Sequence, residues 1–195
     1  MEAPPHAPAM ERPEFQIVPR VGLPIVAVVV ALLIAAIASN KLWPLEFFHV
    51  VGGAGWTVVD LFVGFVVGPI IGRLSIPARV EFTTRFMPKM VLLMPTLVTV
   101  TLAAGWQLST KLGTNQTGYS LHGWVVASFI VVGVMAVIAL GLLEPANIAV
   151  LTELKKPEPK PEVIEKLMKR FIYTAGATGL MQIATLVIMT KLAAG

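Results

Sequence analysis

WPLEFFHVVGGAGWTVVDLFVGFVVGPIIG, residues 43–72, is long and apolar enough to cross a bilayer, since a spanning helix needs about 20 mostly apolar residues. Polar groups nevertheless sit inside it: His49, Trp56 and Asp60, interleaved with Gly52, Gly53, Gly55, Gly64, Gly68 and Gly72. A charged side chain at the bilayer centre costs roughly 2.5–3.5 kcal/mol or more. At about 100° per residue, His49, Trp56 and Asp60 fall on one stripe of a helix. Gly64, Gly68 and Gly72 recur every fourth residue and form a smooth ridge.

The rest of the chain has the same character. Of its 195 residues 56% are apolar and 13% charged, against about 25% charged in ordinary soluble chains, and mean hydropathy is +0.80. These values define a polytopic membrane protein. The net charge of +4 is spread over membrane-flanking loops and does not point to nucleic acid. With no cysteine, disulfides, iron–sulfur clusters and thiol catalysis are excluded. No nucleophile–histidine pairing, phosphate loop or HExxH motif is present, so hydrolase and ATPase chemistry finds no support.

Upstream, residues 1–20 carry Pro4, Pro5, Pro8, Pro13 and Pro19 and read as a disordered, Pro-rich cytoplasmic tail, with His6 solvated. Residues 21–38 form the first span. Ala36-Ile37-Ala38 resembles a signal-peptidase site, but the apolar run is long for a signal core and reads as an anchor helix. Downstream of the quoted stretch, Pro69 is expected to kink or end the second helix. A basic connector, residues 73–86, contains Pro77 in position to open the next helix. The third span, 87–108, holds Pro88 and Pro95. Residues 109–122 form a polar loop with the sequon Asn115-Gln116-Thr117, which carries a glycan only in a secretory pathway. The fourth span, 123–143, is expected to run past Pro145 as an interfacial helix. The stiff Pro157–Pro161 linker precedes a long helix opened by Pro161, whose membrane part is 171–190. The expected fold is therefore all-α: an anchor helix plus an up-down four-helix bundle over residues 43–192.

Lys and Arg mark the cytoplasmic side of a membrane protein. With five spans, twelve of the fifteen basic residues fall on the side of the N-terminus, and only Lys41, Lys111 and Lys191 on the other. The N-terminus is expected inside and the C-terminus outside, in the plasma membrane of a prokaryote. Trp43, Trp106 and Trp124 then line the outer interface, as aromatic belts do.

Four residues are candidates for chemistry. His49 reads either as a ligand to haem iron or a metal ion, with Glu46 one turn away to fix its tautomer, or as an interfacial histidine hydrogen-bonded to a neighbour. His122, at the mouth of the fourth span, is a second axial ligand only if that helix extends outward by about a turn. Asp60 is a candidate catalytic or proton-relaying group, with Gln182, Thr96, Thr99, Thr101 and the Trp56 indole as possible partners. The other reading of Asp60 is an uncharged acid pinning helices together, because water-free surroundings disfavour the charged form. Gly52, Gly53 and Gly55 serve either close helix packing or room for a flat macrocycle. The Gly64, Gly68 and Gly72 ridge suits packing against a neighbouring helix, another membrane subunit or a second copy of the chain. Met87, Met90 and Met94 share a face; thioethers suit copper, yet such a stripe is more often core.

The pattern His49-x6-Trp56, followed by a small, apolar run and a proline, resembles the first core helix of two related groups. These are the bacterial membrane protoporphyrinogen oxidases of the HemJ type and the copper-resistance D-type membrane domain. Residues 95–108, PTLVTVTLAAGWQL, are similar to the helix that follows there, and the resemblance covers about residues 43–192. It implies a four-helix bundle with haem b or a tetrapyrrole at His49 in the first case, and copper handling in the second. His49 alone carries over as ligand, with Trp56 as its structural companion; the fourth span has no lysine matching the one that works with the histidine in the oxidases. The functional expectation is a haem-binding membrane redox protein. A non-catalytic subunit of a respiratory-type complex and a copper-uptake domain are the alternatives.

Overall fold

A computed structural model describes residues 14–195; His6 and most of the expected tail lie outside them. Among the described residues all regular structure is helical. Five segments are long and apolar enough to cross a membrane: Arg20–Ala38, Leu42–Arg73, Ile76–Leu112, His122–Leu154 and Pro161–Ala194.

Helix α1 (Leu23–Ala38) has Pro24 in its first turn, where no intrahelical N–H is needed. It buries only Leu33 and Ala36, against Val100 and Ala104 of the third span. The remainder of its surface is apolar and exposed, as in Val21 and Ile25. Asn40 takes a positive φ of 57° in the link that follows, and Lys111 donates a hydrogen bond to its side chain.

The second span does not end at Pro69. Helix α2 (Leu42–Phe62) passes through a π-turn at Val63–Val67 into α3 (Gly68–Arg73). A helical proline lacks an N–H and its ring presses on the carbonyl four residues earlier, here Phe65, inside the widened turn. A wider turn accommodates that conflict without breaking the rod. The fourth span repeats the device. Helix α5 (His122–Ile138) enters a π-turn at Ala139–Leu143 and then α6 (Glu144–Leu154), with Pro145 placed so that Gly141 lies four residues before it. Residues 144–154 continue the helix past Pro145 as expected, and Ala146, Asn147, Val150 and Leu151 are buried in the bundle.

Helix α4 (Ile76–Leu112) starts with Pro77 in its first turn. Its 37 residues span about 55 Å at 1.5 Å each, so the expected basic connector is largely its N-terminal part. Gly113, at φ 66°, closes the helix in the left-handed conformation, which favours glycine. Helix α7 (Pro161–Ala194) opens at Pro161 as expected, and Glu153 accepts the Lys160 N–H just before it. The core runs between α2, α4, α5, α6 and α7 around Trp56, Met87, Met94, Val98, Met135 and Phe171. Phe15 and Ile17 also pack on it, so the end of the expected tail is tied down.

Candidate functional site

Helix α2 changes partner halfway along. Its N-terminal half lies on α4: a Cβ on Gly52 would stand 2.7 Å from Thr101 Oγ1, and one on Gly55 3.1 Å from the Leu97 side chain. Its C-terminal half, with the π-turn and α3 that continue it, lies on α7: Thr57 bonds Gln182, a Cβ on Gly64 would stand 2.5 Å from Gly176 Cα, and one on Gly68 2.5 Å from Ile172. The stripe read from the sequence is therefore divided between two interfaces.

His49 belongs to the first. Its Nδ1 lies 2.9 Å from the Thr101 carbonyl oxygen; a carbonyl only accepts, so Nδ1 holds the proton and Nε2 the lone pair. The ring sits where a Cβ on Gly105 would be, 2.6 Å from Cε1 and Nδ1. The expected second partner, Glu46, is exposed, and the α4 backbone takes its place. The glycines beside His49 bring α4 into contact, which fills the surface that a flat macrocycle would need. The residues around His49 do not fit a haem on that face. His122 stands in the first turn of α5, with Nδ1 buried and unpaired; no contact joins it to His49 among the described residues.

Trp56 and Asp60, each 1% exposed, belong to the second interface. The Asp60 carboxyl faces Thr178, Trp56 and Gln182. The Thr57 hydroxyl lies 2.9 Å from Gln182 Oε1 and 2.8 Å from its own helix at the Gly53 carbonyl. Gln182 was anticipated as a partner of Asp60; Thr178 and Thr57 were not, while Thr101 serves His49 instead. Asp60 Oδ2, Trp56 Nε1 and Gln182 Nε2 are buried without hydrogen-bond partners. Both donors are near enough to act on the carboxyl, yet neither meets Oδ2 at full hydrogen-bond geometry. An unpaired buried polar atom costs about 1–3 kcal/mol, and a bridging water would satisfy all three.

A second buried acid escaped the sequence reading. Glu144 follows the π-turn with both carboxyl oxygens unpaired, next to Asn147. Asn147 is fully buried and donates to the Met87 carbonyl at 3.3 Å, beside Pro88. The available signal was an acid inside the apolar run LGLLEPANIAV, masked by reading Pro145 as the exit from the membrane. Met87, Met90 and Met94 are all core residues. Among the described residues no three His, Cys, Asp or Glu side chains converge as metal ligands. No family model, curated protein or solved structure matches the chain.

Proposed function

We propose that the protein is a proton-handling membrane protein whose working group is the Asp60 carboxyl, held between the second and fifth spans. One observation carries this reading: Asp60 Oδ2 is buried without a partner while two donors, Trp56 Nε1 and Gln182 Nε2, are unpaired beside it. In this reading a water bridges the carboxyl and the two donors and exchanges a proton with Asp60. Trp56 and Gln182 would orient that water, and Thr178 would hold the carboxyl. In this reading the basic side of the bundle is cytoplasmic, with the N-terminus inside and the C-terminus outside.

The test counts protons. The purified protein is titrated from acid to alkaline pH against a pH-indicator dye, alongside Asp60→Asn. The variant, similar in shape, should remain folded and release a single proton fewer. Equal release by the two proteins would remove Asp60 from proton chemistry and favour the second reading, a helix-pinning carboxyl in a non-catalytic membrane subunit. That reading draws on the Thr57–Gln182 bond and on the close approach of Gly179 to the Asp60 backbone.

A further inference from the structure

A groove of about 1510 Å³ opens at the basic end of the bundle, apart from the Asp60 site. Its floor is the ridge of Gly64, Gly68 and Gly72, and the first turns of α4 and α7 flank it. The walls are apolar and continuous with surface that would face lipid: Phe65, Ile76 and Leu180 line it and are each more than half exposed. Three cations border it, namely Arg79, Arg85 and Lys169. Two are neutralised locally, Arg85 by Glu81 at 2.8 Å and Lys169 by Glu165 at 2.7 Å.

Arg79 differs. Its Nη2 donates to the carbonyls of Gly72 at 3.2 Å and Leu74 at 3.4 Å. Its Nε is buried with no acceptor, and it makes no ion pair among the described residues, although Glu165 lies close enough to sense its charge. A guanidinium with a free N–H beside an apolar trough is suited to a forked contact with a phosphate or carboxylate. Gly72 adds space: a Cβ there would meet nothing within 4 Å.

We propose that this groove binds an anionic phospholipid, with its phosphate on Arg79 and an acyl chain along the wall below Gly72. The occupant is a lipid because the trough is apolar and continuous with the exposed apolar surface of the helices long enough to cross a membrane. It is anionic because the one cation without a carboxylate partner stands at its mouth.

The experiment uses the full chain, purified and delipidated in a non-ionic detergent. Thermal unfolding and native mass spectrometry are followed with added phosphatidylglycerol, with phosphatidylcholine of the same acyl chains, and with inorganic phosphate. Phosphatidylglycerol should raise the unfolding temperature and remain bound as a single copy, while the other two leave both readouts unchanged. Arg79→Gln should weaken phosphatidylglycerol binding about tenfold or more. Gly72→Leu, which retains Arg79 and fills the trough, should block the lipid without lowering the lipid-free unfolding temperature. Equal stabilisation by phosphatidylcholine, or full binding by both variants, would overturn the proposal. An effect reproduced by inorganic phosphate alone would replace the lipid with a small-anion site.

Discussion

His49 and Asp60 occupy one face of one helix, yet their surroundings assign them different work. The imidazole rests on a bare stretch of α4 and donates to a backbone carbonyl. Such a bond is worth about 0.5–1.5 kcal/mol net. His49→Ala should therefore lower unfolding free energy by about that amount, plus some loss of packing, in a denaturation series. Its effect on the titration of Asp60 should be nil, since the two residues sit on different interfaces. Gly105→Ala should be worse than a surface substitution, because its methyl group would stand 2.6 Å from the ring and push His49 off Thr101. Comparing the two variants singly and together checks this: if both act through one contact, their effects fall short of additivity.

At the scale of elements, glycine positions decide how the helices meet. Gly64 faces backbone, the Cα of Gly176, whereas Gly72 faces open space. Gly64→Ala should force the second and fifth spans apart and destabilise the fold by about 1–3 kcal/mol or more. Gly72→Ala should be near neutral, and a Gly64→Ala protein as stable as wild type would contradict the packing described. The ridge itself was legible in the sequence, because its four-residue spacing is independent of context. Its partner was not, because a bare ridge suits a neighbouring helix and a second subunit equally; Gly64 and Gly68 pack within the chain. The five spans and the helix starts at Pro77 and Pro161 were readable for the same local reasons. The π-turns that carry helices through Pro69 and Pro145 were not, since a π-turn leaves no residue signature comparable to proline's own. Glu144 and Asn147 were overlooked as a consequence.

At the scale of the whole molecule, two accounts remain to be checked. Asn115 and Glu158 are exposed in connections at opposite ends of the bundle. Cysteines introduced there should react oppositely with an impermeant thiol reagent in intact cells, position 115 labelled and position 158 protected. Labelling of both from outside would contradict the five-span topology. The candidate site was half legible: Asp60, Trp56 and Gln182 could be named from an acid and its possible partners within apolar runs. Their separation from His49 depends on where α2 leaves α4 for α7, which no local pattern encodes. The central claim, that the chemistry resides at Asp60, is tested most directly by infrared spectroscopy. An acid-minus-alkaline difference spectrum of wild type should contain a carboxylic acid carbonyl band that shifts in heavy water and is missing from Asp60→Asn, with Glu144→Gln and Glu153→Gln identifying any contribution from the other buried acids. A spectrum unchanged by Asp60→Asn would contradict the account.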